Sequence, residues 1–322
     1  MKSLWHIPSH GGWPRPVAGS GPQADHPTIS PANGEIAFEY TIEEENLWRV
    51  ELPGTGGSPV PHALLSSKTS NLMPQFSPDG QKIAFESDRS GYEEIWICYA
   101  DGSNARQLTK LERYSGSPRW SPDGRYIAFD FRSQAHSEVY VVEVATGNTH
   151  RVASFADADN VVPSWSRDGQ WIYFASNRGG QEFHVWKIQA GGGTAVRLTQ
   201  GAGFSALASA DGRSVVYTRL SEPGFWIVPR DGGAERLLWK GPAPDNWANW
   251  AVVNDGIYFV KSKQDGESEI DFVDADTAQS KYIAKLERPA FYGLTVAPNR
   301  RAIVYSQRDR NQHNIVVMMN VR

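Results

Sequence analysis

A single cysteine, Cys98, stands among 322 residues. One thiol excludes an intrachain disulfide and any zinc site made of several cysteines. It leaves the redox compartment open. Long apolar runs are missing too. No stretch approaches the roughly 20 apolar residues a membrane helix needs, and the segment from Met1 to Pro8 lacks the apolar core of a signal peptide. Nor is there an excess of positive charge. Lys+Arg 32 against Asp+Glu 36 leaves a net −4, which argues against a strongly basic nucleic-acid binder and a polybasic membrane-surface protein. Helical periodicity is absent as well. What is present in quantity is turn former and aromatic: 30 Gly, 20 Pro and 12 Trp, in a chain 40% hydrophobic and 21% charged. That composition fits a globular protein of many short strands joined by tight turns.

One phrase recurs along the chain. It reads Phe76-Ser77-Pro78-Asp79-Gly80, Trp120-Ser121-Pro122-Asp123-Gly124, Trp165-Ser166-Arg167-Asp168-Gly169 and Ala208-Ser209-Ala210-Asp211-Gly212. Degenerate copies end at Gly34, Gly256 and Arg300, and the seven anchors are spaced 43–46 residues apart. Each is followed by an apolar strand such as Ile83-Ala84-Phe85, a polar loop, a strand centred on an aromatic (Trp48, Trp96, Tyr140, Trp186, Trp226) and a Gly-containing turn into a fourth strand. Asp-Gly between apolar strands is a strong hairpin signal because the turn needs positive φ. Four antiparallel strands every 40–45 residues are the mark of a β-propeller. The spacing therefore predicts an all-β chain, residues 1–322 forming one seven-bladed propeller of four-stranded antiparallel blades. The last unit lacks a fourth strand, and the N-terminus offers two candidates to close the ring, residues 4–7 and 14–17. Pro14 and Pro16 lack ladder donors, so residues 4–7 are expected to pair with Ile315–Met319.

The Ser77-Pro78-Asp79-Gly80, Ile83-Ala84-Phe85 and Ser87-Asp88-Arg89-Ser90-Gly91 sequence, echoed by Ser176-Asn177-Arg178-Gly179, resembles the TolB-type, WD-repeat-like propeller family. The likeness covers essentially the whole chain and is strongest in units 2 to 4. The chain is similar, more closely, to propeller segments that follow winged-helix domains in bacterial regulators. Nothing here matches a winged helix, so DNA binding does not carry over to this chain. The resemblance implies a sensory segment or a protein-interaction platform, and an extracytoplasmic, periplasmic setting. It names no catalytic residue and no cofactor.

The residues themselves offer little catalytic chemistry. TolB-like propellers also accompany prolyl-oligopeptidase-type catalytic domains, but the nearest string to a nucleophile elbow, Gly203-Phe204-Ser205-Ala206-Leu207, fails at its last position. The eight histidines show no metal-ligand spacing. Asp157 and Asp159 form a weak calcium candidate without the glycine and distal glutamate of an EF-hand loop. Tryptophans that recur at one repeat position (Trp96, Trp186, Trp226) are expected to pack between blades. Aromatics that break the repeat, Trp247, Trp250, Phe204 and Tyr292, fall in fourth-to-first-strand connections, and Arg89 and Arg178 fall in second-to-third-strand loops. Both sets of loops lie on one face of a propeller. Asn71 and Asn160 should lie near the channel mouth there, and Gln75 and Arg119, one residue after a strand-leading proline, near the channel. A non-catalytic module receiving a protein or small-molecule ligand on that face is the expected function. A channel-site enzyme such as a metal-dependent sugar-acid lyase, or an oligomerisation scaffold, remains open.

Overall fold

In a computed structural model, the structure describes residues 3–21, 23–52, 59–133, 135–155, 157–241, 246–262 and 267–319. Only strands, turns and bends occur among them, and no helix is long and apolar enough to cross a membrane. The chain divides into two compact units, one of Met1–Glu44 with Asp309–Arg322 and one of Glu45–Arg308.

The larger unit is the propeller. Five consecutive four-stranded sheets form in simple up-and-down order. The first blade is Asn71–Phe76, Lys82–Ser87, Glu94–Tyr99 and Arg106–Gln107. Blades 2 to 5 begin at Ser115–Trp120, Asn160–Trp165, Phe204–Ala208 and Trp250–Val253. The sixth is composite. Ala290–Val296 pairs with the first part of Ala302–Met318, the sheet continues into the last part of Ile36–Glu51, and His62–Leu65 completes it. The first strands of successive blades touch in a closed cycle of six. Six apolar clusters fill the six interfaces, each including second-strand residues: Ile83 and Phe85 in one, Ile127 and Phe129 in the next, Ile172 and Phe174 in a third.

Two expectations are corrected. The described residues make six blades rather than seven, and residues 4–7 do not close the ring. Trp5 pairs with Pro16 and His6 with Arg15, so the two candidate closing segments pair with each other. Closure comes instead from residues near Leu47 and Leu65, which pair with one another and enter the cluster holding Phe76 and Ile83 of blade 1. The reason lies in two stretches without breakers. Second-to-third-strand loops of blades 1, 3 and 4 turn at positive-φ glycines, Gly91, Gly179 and Gly224. Ile36–Glu51 and Ala302–Met318 contain neither Gly nor Pro and run on as strands of 16 and 17 residues. Each leaves one unit and enters the other.

The smaller unit therefore holds the repeat copy anchored at Gly34. Ala24–Ile29 pairs with the first part of Ile36–Glu51, over a small core of Leu4, Ala24 and Phe38. Glu39 accepts from His26 Nδ1 at 3.2 Å and also meets His313 Nδ1.

Candidate functional site

The inner strands are not regular. Met73, Ser117, Val162 and Ser205 adopt φ of 55°, 53°, 54° and 40°, and pairing slips at each of these places. Such bulges re-aim the residues beyond them. In blades 1 to 3 the residue following the bulge proline, Gln75, Arg119 or Ser164, lines a channel cavity of about 410 Å³. The expected channel residues are thus brought together. They also join blades. Gln75 Oε1 accepts from the Trp120 amide at 2.5 Å, Ser164 Oγ donates to the Ala206 carbonyl at 2.5 Å, and Trp165 Nε1 donates to the Arg119 carbonyl at 2.9 Å.

At the other ends of these strands the repeat-breaking aromatics form a row. Phe204 meets Trp247 with ring centroids 5.4 Å apart, Trp247 meets Tyr292 at 5.6 Å, and Phe291 meets Tyr292 at 4.7 Å. Phe183, which the sequence reading passed over, extends the row at 5.0 Å from Phe204. Its position in a second-to-third-strand loop was the available signal. Phe204 is buried, while Phe183, Trp247, Phe291 and Tyr292 are half-buried. Trp250 does not join them. It is buried against Phe225, 5.0 Å away, in the apolar cluster between blades 4 and 5.

The loop arginines lie on aromatic rings, and several also pair with acids, Arg219 with Glu222 at 3.1 Å and Glu235 at 3.0 Å and Arg308 with Glu45 at 2.8 Å. Arg89 lies 4.9 Å from the Trp96 ring centroid, Arg178 lies 4.3 Å from Phe155 and 5.6 Å from Trp186, and Arg219 lies 3.5 Å from Trp226. A guanidinium on an aromatic face is attracted by the ring quadrupole. The strand-three tryptophans are accordingly half-buried, packed on blade clusters on one side and capped by arginine on the other. Asn71 is buried and committed: its amide donates to Ser67 Oγ at 2.7 Å, and its oxygen accepts from Ser87 Oγ and Arg89. Asn160 is buried likewise, donating to the Ser137 and Ala158 carbonyls. Both asparagines fasten loops rather than face the mouth.

The weak calcium candidate does not assemble. Asp157 is exposed, and Asp159 Oδ1 accepts the Ser137 amide at 2.8 Å with Arg132 at 3.8 Å. Among the described residues no three His, Cys, Asp or Glu side chains gather as a metal set. Cys98 is buried, and burial pushes its thiol up to about 12, the environment of an unreactive thiol.

Two buried acids went unnoticed in the sequence. Glu86 and Asp130 follow the apolar-Ala-Phe motif in blades 1 and 2, where later blades carry Ala175, Thr218 or Val260. The Glu86 carboxyl accepts the amide of bulge residue Ser117, and Asp130 Oδ1 accepts that of Val162 at 3.3 Å. Burial, helped by nearby Asp130, holds Glu86 well above the usual carboxylate range. Burial raises Asp130 as well. The signal was a charge at a repeat position that is small or apolar in blades 3 to 6, although the Gly34 copy carries Glu39 there as well.

Comparison with known proteins agrees with this geometry. The chain is 28% identical over 198 residues to a protein TolB homolog of Chlorobium chlorochromatii, covering 59% of this chain and 44% of that one. It is 29% identical over 248 residues to an uncharacterized protein of Agrobacterium fabrum, covering 72% and 68%. The chain thus spans less than half the length of the Chlorobium relative. Its fold matches the crystal structure of TolB from Acinetobacter baumannii at a TM-score of 0.62, with 19% identity over 76% of this chain and 64% of that one. It also matches a candidate TolB of Agrobacterium tumefaciens at 0.66, with 16% identity over 83% and 99%. The family model described as PD40, TolB beta propeller domain, matches residues 61–288. With its Ser-Pro-Asp-Gly turns and four-stranded blades, the chain belongs to the TolB β-propeller family.

Proposed function

We propose that this chain is a non-catalytic binding module that receives a protein partner on the face of the fourth-to-first connections and second-to-third loops. The observation that carries the reading is the row Phe183, Phe204, Trp247, Tyr292 and Phe291. It crosses blades 3 to 6 and keeps four of its five rings partly exposed. Aromatic anchors of this kind dominate binding energy at interfaces, and a row across several blades fits an extended segment better than a compact small molecule. Proteins of the TolB family are usually periplasmic, and we place the interaction in that compartment. A channel-site lyase needs several converging His, Gln, Asp or Glu, and of these the described channel lining supplies Gln75 alone, beside Arg119 and Ser164.

The test is capture of a partner from extracts of the source bacterium, followed by affinity measurement with the purified pair. A Trp247→Ala, Tyr292→Ala double variant should lose at least about tenfold in affinity, since each hot-spot truncation costs about 2 kcal/mol or more. Arg167→Ala, on the Ser-Pro-Asp-Gly turn side, should bind as the parent does. The opposite pattern would move the partner to the turn side.

A further inference from the structure

The channel carries a charge that nothing in the described protein balances. Arg119 is only 7% exposed, lies on the wall of the 410 Å³ cavity, and its guanidinium has no hydrogen-bond or ion-pair partner among the described residues. Its neighbour in blade 1 is similar in kind. The oxygen of Gln75 is occupied by the Trp120 amide, which leaves the side-chain NH2 without an acceptor among the described residues. No Asp or Glu stands among the described residues lining the cavity, while Arg167 and Arg300 stand at its turn-side end. Arg300 is already paired with Asp255 at 2.8 Å, and Arg167 donates to the Ser209 carbonyl at 3.2 Å. Of these three arginines, Arg119 alone is both buried and without a partner among the described residues.

We propose that the channel of the six-blade unit is a binding site for a small oxyanion ligand, a carboxylate or phosphate held by the Arg119 guanidinium with the Gln75 amide beside it. A buried cation is costly unless it is paired and hydrogen-bonded, so an anion entering the channel supplies what the protein lacks. Arginine presents a planar fork that matches a carboxylate or phosphate edge with two parallel bonds. Burial lowers the guanidinium to about 10, which keeps it charged at neutral pH. The cavity is of the size that small-molecule ligands occupy, and Leu207, Val252 and Leu294 give its wall an apolar stretch against which the body of such a ligand can lie. This site is separate from the aromatic row of the proposed partner face and does not depend on it.

The test is titration of the full chain, in low-chloride buffer at constant ionic strength, with sodium phosphate and separately with sodium benzoate. Melting temperature and intrinsic tryptophan fluorescence are the readouts. Saturable binding of at least one anion is expected, weakened at least about tenfold in Arg119→Gln, the equivalent of one lost charge-assisted hydrogen bond. Arg119→Lys, which keeps the charge and loses the fork, should bind with intermediate affinity. Without anion, Arg119→Met should melt no lower than the parent, because it removes an unpaired charge. Trp247→Ala should bind the anion unchanged, which separates this site from the partner face. Response to phosphate alone identifies a phosphate-bearing ligand, and response to benzoate alone a carboxylate with an apolar body. No saturable response to either anion at tens of millimolar, or an equal response in Arg119→Gln, overturns the proposal.

Discussion

At the scale of single residues, Glu86 shows how a buried acid couples this fold to pH. Desolvation, then the neighbouring Asp130 charge, raise its folded pKa well above that of an exposed glutamate. A raised carboxyl binds its proton more tightly folded than unfolded. Its contribution is therefore fully present below the ordinary carboxylate range and is lost as pH rises toward the folded value. Glu86→Gln keeps the acceptor for the Ser117 amide and removes the titration. The gap in melting temperature between this variant and the parent should widen in the variant's favour from pH 4 to pH 8. A constant gap would show that Glu86 is not protonated in the folded state. Trp96 poses a different case. It is half-buried between an apolar cluster and Arg89, so Trp96→Ala should cost less than a fully buried tryptophan, about 2–3 kcal/mol in denaturant unfolding. Arg89→Ala should cost about 1 kcal/mol through the lost ring contact and the bond to Asn71.

At the scale of elements, the Ser-Pro-Asp-Gly turn and the inner-strand bulge do separate jobs. In the turn, Ser77 Oγ donates to Asp79 Oδ1 at 2.5 Å, and Asp79 accepts the Gln81 amide at 3.0 Å. The same pattern recurs at Ser166 and Asp168, and at Ser209 and Asp211. The serine hydroxyl, then the backbone amide, hold all three aspartates below their usual range. A lowered carboxyl stabilises above its unfolded pKa and ceases to as pH falls through the folded value. Acid unfolding should therefore set in as pH drops below about 4, and Asp79→Asn should flatten that limb. The bulge depends on space. Gly293 takes φ +111°, and a Cβ there would stand 2.6 Å from Met73 Cα and 2.7 Å from Pro74 Cδ. Gly91 has φ +97° with nothing within 4 Å. Gly91→Ala should cost about 1–2 kcal/mol for left-handed backbone, and Gly293→Ala distinctly more, because it also pushes blade 6 from blade 1.

For the whole molecule, the decisive contact is ring closure. Leu47 is fully buried, pairs with Leu65, and packs with Phe76 and Ile83. Leu47→Ala should lower the stability of the six-blade unit by about 2–5 kcal/mol. Trp5, at 57% exposure in the N-terminal hairpin, should be replaceable by Ala with no change in the main melting transition. If Trp5→Ala melts early and Leu47→Ala does not, the closing strands have been misplaced. Chain order was a poor guide here, because the third and fourth strands of the last blade stand more than 200 residues from its first two.

The strands, their Asp-Gly turns and the four-strand module were legible because each rests on local chemistry: positive φ at the turn, alternation along the strand, and an aromatic at a repeat position. The channel placement of Gln75 and Arg119 followed from the same periodicity, as did the gathering of Phe204, Trp247 and Tyr292. What stayed hidden was set by contacts distant in sequence. Seven turn anchors mark seven hairpins, yet whether a hairpin becomes a blade depends on which strands lie beside it. The breaker-free stretches through Glu43 and Asp309 carry the chain out of the ring instead of back into it. Trp250 looked like a mouth residue because of its loop, and it is core because Phe225 lies against it. Arg119 was visible as a channel residue. That its charge is buried, with no acid beside it among the described residues, was decided only when six blades closed around it.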